Sequence, residues 1–391
     1  MEVQQQFFRD TWVEVNLDHI EENIKQIKGI FKQEMNIMAV VKANAYGHGA
    51  VEVAKRAIRA GARYLAVSFL DEALQLRQAG IVSPILVFGR VRPHDVNLAA
   101  AHQIAVTVYQ EEWLLEAKQH YTADQSLRLH VKFDTGMGRI GITNKENGKA
   151  VITLIQSCEM FELEGVFTHF ATADDTDLDY FNKQYSRFLD VLAWLEDWGV
   201  SVKFIHCGNS ATGLRFPDKV FNMVRLGIAM YGLSPSEEIK EEIPVNLKEA
   251  FSLHSRIIQV KEIHPGDAIS YGATYVAAEK QWIATIPIGY ADGWFRYHSS
   301  QGGYVLVDGK RAPIVGRVCM DQCMVRLPYE VEVGTVATLI GSQQDERITV
   351  DQVAKRLETI NYEIPCMIGS RVPRIFIEEQ KIIAIRNGIR L

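Results

Sequence analysis

A (β/α)8 barrel followed by a mostly-β C-terminal domain is the fold predicted by this 391-residue sequence. Three observations predict it. Between about residues 36 and 232, eight short apolar runs alternate with helix-period segments, the signature of parallel strands joined by crossover helices. After about residue 245 the chain changes to short strands separated by turn signals. Polar residues capable of chemistry recur at the C-terminal ends of five of the apolar runs, which is where barrels of this kind collect their sites.

The predicted barrel strands are 37–42, 64–70, 84–90, 105–109, 127–134, 163–170, 202–208 and 223–231. The first, beginning Ile37-Met38-Ala39-Val40-Val41, is continuously apolar, as expected of a strand buried on both faces. Amphipathic stretches such as Val51–Ile58 and Tyr185–Leu192 supply the helices between. Segment Ser210–Val220, short and interrupted by Pro217, is the weakest helix pattern. The barrel is assigned to residues 1–240, with residues 1–12 open to packing on the β domain, and the β domain to 241–391. Charged, proline-containing Ser236–Leu247 is the linker. In the second domain, 255–261, 282–288 and 305–307 read as strands, and Asp308-Gly309 as a hairpin turn. The good helix pattern there is Val350–Thr359, after which Thr359–Cys366 runs into a proline turn.

Composition narrows the function. The chain is 47% apolar and 23% charged, with net charge −6 and no basic stripe, so nucleic acid is a poor partner. No run of about 18 apolar residues offers a membrane span. The opening Met1–Gln6 lacks a basic and then apolar leader pattern. Five scattered cysteines read as reduced thiols of a cytoplasmic protein. Cys319 and Cys323 have no second pair at zinc-ligand spacing, so no metal is expected.

The chemistry starts at Lys42. A hydrated ammonium is costly at the end of a buried strand, but an amine used covalently, as in a Schiff base with an aldehyde cofactor, belongs there. Tyr46 adds a hydroxyl, while Gly47 and Gly49 allow close backbone approach. At the last two strand ends, Cys207-Gly208-Asn209-Ser210 and Val224-Arg225-Leu226-Gly227-Ile228 suit a phosphate held by a hydroxyl and backbone N–H groups. A Schiff-base lysine together with a phosphate cradle suggests pyridoxal 5′-phosphate. Arg225 then has a role against the pyridine nitrogen, keeping it unprotonated and suppressing transamination. Tyr271, in Ile269–Tyr275, is a candidate second base. A free phenol is a weak base at neutral pH, so positive charge relayed by His169 and Arg225 is expected to assist it. Tyr362 offers another phosphate or gate hydroxyl, and Cys319–Gln322 a wall that narrows a pocket. Each group also has a plain structural reading: Lys42 snorkelling from a strand end, Asn209-Ser210 as a helix cap, Arg225 in an ion pair, and the tyrosines as packing.

Six blocks in order carry a family resemblance: Ala39–Gly49, Asp134–Arg139, Thr168–Ala171, Ser270–Tyr275, Gly289–Gly293 and Gly316–Asp321. The chain closely resembles the bacterial alanine racemases, pyridoxal-phosphate enzymes built from a barrel and a β domain. The resemblance implies that Lys42 holds the cofactor and is the base for D-alanine, with Tyr271 serving L-alanine from the opposite face. It implies a phosphate site of Tyr46, Ser210, Gly227, Ile228 and Tyr362, with Asn209 beside it. Arg225 would meet the pyridine nitrogen, Arg139 the phenolic oxygen, and Met320 the substrate carboxylate through its amide. Lys132 matches a lysine that some members carry as a carbamate partner of Arg139. Tyr290, Asp174, Arg296 and Arg317 match an entry corridor. Tyr271 and Met320 would act at the barrel mouth of a second copy, so a homodimer is implied, as is a role in supplying D-alanine for peptidoglycan. Gly208 departs from the alanine that many members carry. Two other readings compete: a related decarboxylase of basic amino acids, which Arg225 disfavours, and a non-catalytic pyridoxal-phosphate carrier, which would not need Tyr271.

Overall fold

The structure, a computed structural model, describes residues 7–389; Met1–Gln6, read above for a leader pattern, lie outside the described residues. Two compact units make up the chain. Among the described residues, one holds those from Phe7 to His19, Tyr46–Gly49 and those from Glu249 to Ile389. The other holds Ile20–Ala45 and Ala50–Lys248.

The second unit is the barrel. Counting strand β1 as Thr11–Asn16, its strands are β2 (Asn36–Val40), β3 (Tyr64–Val67), β4 (Ile85–Val87), β5 (Ile104–Val108), β6 (Leu127–Lys132), β7 (Phe161–Phe167), β8 (Phe204–His206) and β9 (Met223–Leu226). They pair in parallel in the order β8-β7-β6-β5-β4-β3-β2-β9. The Arg225 N–H donates to the Gly208 carbonyl at 3.0 Å across the remaining seam, so the sheet nearly closes. Strands buried along their whole length, such as β3 and β4, account for the continuous apolar runs. Helices Ala50–Arg59 and Asp179–Asp197 stand where the amphipathic segments predicted them. The weak segment folds as a short helix, Ser210–Arg215, and a 3-10 turn at Pro217–Lys219.

The first unit is built on an eleven-stranded sheet. β1 lies within it, antiparallel to Phe251–Arg256 and parallel to Arg374–Glu378. Asp308-Gly309 closes the hairpin between Tyr304–Val307 and Lys310–Val315, both residues with positive φ as such a tight turn requires. The expected strand 255–261 is two strands, Phe251–Arg256 and Gln259–Ile263. Between them Ile257 donates to Thr335 and Ile258 to Thr285, so the chain changes sheet neighbours at a corner that an apolar pattern cannot reveal. The expected proline turn after Thr359 is a second helix, Glu363–Met367; Pro365 is tolerated because it lies in the first turn.

Candidate active site

In the barrel unit, Lys42 directly follows β2 and opens a turn of the wrong hand. Ala43, Asn44, Ala45 and Tyr46 all have φ between 51° and 54°. Left-handed backbone costs non-glycine residues roughly 1–2 kcal/mol each, so neighbouring bonds must hold it. Ala43 N–H donates to Glu72 (2.6 Å), Ala45 N–H to the Val41 carbonyl (2.9 Å), and the Asn44 side chain accepts from Ala50 (2.9 Å). No glycine marks these four residues, so the strain is invisible in the sequence. Such strain clusters at functional sites.

Positive charge gathers around this strand end. Lys132 is buried at the end of β6. Burial, and then the charges of Arg139 and Arg225, pull its pKa down to about 8 against the pull of Asp134. Burial, followed by Arg225, Arg139, Lys132 and Lys42, holds His169 well below the usual imidazole range. His169 is therefore neutral. Arg225, brought down to about 10 by burial, remains a cation at neutral pH. Its Nη2 donates to His169 Nδ1 (2.9 Å) and the Cys207 carbonyl (3.2 Å), and its Nη1 to His206 Nδ1 (3.2 Å) and the His206 carbonyl (3.0 Å). Four of its five N–H donors are thus taken, leaving Nε–H. Beside β9, Ser210 Oγ accepts from Gly227 N–H (3.0 Å) and Ala229 N–H (3.4 Å). Its own proton is then directed to another acceptor. Asn209 acts as the cap of helix Ser210–Arg215, accepting from Thr212 at 3.0 Å, and Ile228 opens the 3-10 turn after Gly227. Asp174 is half-buried, and burial raises its pKa.

The sheet unit brings its own set together. Tyr46 and Tyr362 stand with ring centroids 6.1 Å apart, and burial raises the Tyr46 pKa. Buried Arg374 fixes their loops, donating to the carbonyls of Gly47, Ile368, Gly369 and Val372. Tyr271, 70% exposed, opens a 3-10 turn after Ser270, whose hydroxyl donates to the Arg317 carbonyl at 2.6 Å. Tyr271, Tyr290, Arg296 and Val318 line one cavity of about 460 Å³. Backbone bonds of 3.0 Å from Tyr290 to Cys319 and from Ala291 to Met320 hold the exposed Met320 loop against it.

Sequence reasoning missed His206, His130, Glu164 and Arg374. The signal available was polar side chains inside otherwise apolar strands: His130 in LRLHVK, Glu164 in FELEGVF and His206 in FIH.

The chain is similar to known proteins along nearly its whole length. The family model for the alanine racemase N-terminal domain matches residues 15–235, and that for its C-terminal domain 250–376. An alanine racemase from Halalkalibacterium halodurans is 58% identical, the match covering 98% of this chain and 99% of that protein. A crystal structure of alanine racemase from Bacillus anthracis with bound L-Ala-P is 52% identical, with a TM-score of 0.95 over 98% of this chain and 99% of that one. A histidine racemase from Leuconostoc mesenteroides subsp. sake superposes with a TM-score of 0.88 at 33% identity, over 95% of this chain and 98% of that one.

Proposed function

This chain belongs to the alanine racemase family, and on that premise we propose that it interconverts L- and D-alanine, with pyridoxal 5′-phosphate as cofactor. The observation that carries the cofactor is the donor set of the barrel mouth: Arg225 with one N–H left, Ser210 with its proton free to give, and the basic groups Arg225, Arg139 and Lys132 gathered with Lys42. Groups of this kind fit a phosphorylated, anionic ring and repel a cationic one. When bound, the cofactor supplies an aldehyde that condenses with amines and a ring that withdraws the electron pair left on the α-carbon.

The chain's own residues would do the rest. Lys42 would hold the cofactor and move the α-proton of D-alanine through Nζ. Tyr271 would move that of L-alanine through its phenolic oxygen, because inversion requires a proton leaving one face and another arriving on the opposite one. Arg225 would donate Nε–H to the ring nitrogen. Neutral His169, accepting from Arg225 through Nδ1, keeps an Nε2–H with which to steady a phenolate. Ser210, Tyr46, Tyr362 and the backbone at Gly227 and Ile228 would bind the phosphate, with Asn209 holding Ser210 in place. Arg139 would take the phenolic oxygen, and the Met320 amide the substrate carboxylate. Tyr290, Asp174, Arg296 and Arg317 would line the way in.

A pKa of about 8 leaves Lys132 partly as the free amine that attacks carbon dioxide. Carbamate formation joins the lysine nitrogen to the carbon and releases one proton, which would turn a repelling cation into an anionic partner for Arg139. The exposure of Tyr271 and Met320 fits a homodimer in which each copy completes the other's site. Such an enzyme would act in the cytoplasm and supply D-alanine for peptidoglycan.

The test is to incubate the pure protein with L-alanine in deuterated water and read chirality and α-deuterium together. D-alanine carrying α-deuterium is expected. Neither exchange nor D-alanine would reject the reading, and turnover of histidine in place of alanine would move the substrate to that of the more distant structural neighbour.

A further inference from the structure

We infer that Glu164 is a positioning residue for Arg225, acting through His130 and His206 to fix the protons of a buried side-chain series inside the barrel. Only its last link, the Nε–H of Arg225 left for the cofactor ring, rests on the function proposed above.

The series can be read bond by bond. A guanidinium only donates, so His206 Nδ1, 3.2 Å from Arg225 Nη1, must accept. The neutral ring then carries its proton on Nε2, which lies 2.9 Å from His130 Nδ1. His130 therefore accepts there and carries its own proton on Nε2, 3.1 Å from Glu164 Oε2. Tyr64 donates its hydroxyl to the same oxygen at 2.7 Å. Every donor points toward Glu164, and each step is dictated by the one before it. Burial keeps His206 and His130 neutral, lowering both. Burial works to raise the Glu164 carboxyl, but the bonds from His130 and Tyr64 and the charge of Arg128 outweigh it and hold the group ionised. All four of Glu164, His130, His206 and Arg225 are less than 5% exposed.

The backbone is shaped around this series. In the β6–β7 ladder Leu129 pairs with Leu163 and His130 with Gly165, so Glu164 is the extra residue of a bulge. Bulges re-aim a side chain beside a site. Gly165 then makes room for the imidazole, since a Cβ there would sit 2.6 Å from His130 Nδ1. Without an acceptor at 164, His130 can move its proton to Nδ1 and meet the Nε2–H of His206 head-on. His206 answers by presenting Nδ1–H to Arg225, and the guanidinium loses one of the four bonds that orient it. An uncompensated donor pair of this kind does not persist in a dry interior.

The experiment is side-chain 15N spectroscopy of histidine-labelled full-length protein at neutral pH, with steady-state kinetics and the 15N shift of ring-labelled pyridoxal phosphate alongside. Wild type should show His130 and His206 both protonated at Nε2 only. Glu164→Leu should mix the tautomers of both rings, move the cofactor ring nitrogen's shift, and lower kcat on the order of 10-fold with KM little changed. Gly165→Ala, which keeps the carboxylate but displaces His130, should do the same. Glu164→Gln retains a carbonyl acceptor and should hold the wild-type tautomers, which keeps the test open if Glu164→Leu does not fold. A wild-type His206 protonated at Nδ1 overturns the inference. So do unchanged tautomers and kcat in both Glu164→Leu and Gly165→Ala. A protein with the stated tautomers that racemises nothing would reject the proposed function and leave the series intact.

Discussion

The barrel unit and the sheet unit hold their candidate groups in opposite ways. In the barrel, Arg225 is buried and makes four hydrogen bonds, His169 is neutral and bonded to it, and Ser210 already accepts two amides. In the sheet unit, Tyr271 is 70% exposed and Met320 53% exposed, both on turns. One set is organised by its own unit. The other is presented to whatever meets it. Under the proposed function the difference is a division of labour, with cofactor chemistry set inside the barrel and the second base delivered from a surface.

The strongest way to break that comparison is to remove the delivered base alone. Tyr271→Phe should lower L-to-D conversion by ~10²–10⁴-fold, the range of one general base. Exchange of the α-proton of D-alanine, which the proposed function gives to Lys42, should persist. Deuterium incorporation from each enantiomer measures this, and equal loss from both would mean that the two sets do not work separately. Inactive Lys42→Ala and Tyr271→Phe chains should partly restore activity when mixed as heterodimers. No restoration would place both groups within one copy's site.

How much the sequence reveals divides along similar lines. The barrel strands are legible because burial on both faces writes a mostly apolar run, unbroken in Ile85–Val87 and interrupted by a few buried polar groups elsewhere. The sheet unit is less legible: its strands are short, and the corner at Ile257-Ile258 is as apolar as the strands it separates. Local rules succeeded where one residue pair decides the geometry, as at Asp308-Gly309. They failed at Ala43–Tyr46, where tertiary bonds enforce a conformation that no residue in the segment favours. Glu164 was missed for a related reason. A carboxylate in a strand looks solvent-facing until the bulge and the histidines around it are known.

A second prediction sharpens the claim that the barrel stores charge at a cost. Lys132 has its pKa lowered from the usual lysine value of 10.5 to about 8. Between those values the unfolded chain binds a proton that the folded one does not, so stability rises with pH from about 8 to 10.5. Below that window the whole cost, up to ~3 kcal/mol, is present. Lys132→Met should therefore be more stable than wild type at pH 7, with the gap closing toward pH 10, as read by urea unfolding in bicarbonate-free buffer. Adding bicarbonate should stabilise wild type and leave the variant unmoved. A gap that stays constant with pH would mean that Lys132 carries its charge in the fold without penalty.

The smallest effect tests how rigid the barrel seam is. At Gly47 in the sheet unit an added Cβ would lie 2.0 Å from the Pro365 carbonyl, which is backbone and cannot yield. At Gly208 in the barrel it would lie 2.4 Å from Val220 Cγ1, the tip of a side chain. Gly208→Ala should cost ~1–2 kcal/mol by overpacking, and Gly208→Ala with Val220→Ala should cost less than the two single changes summed, because the pair is in contact. The Gly208 carbonyl also accepts the Arg225 N–H at the seam, so any shift there should reach the arginine. Thermal unfolding measures the first effect and the cofactor's visible absorption the second. If the spectrum is untouched while stability falls, the seam absorbs the strain before it reaches Arg225, and the barrel set is held by its side-chain bonds more than by its strands.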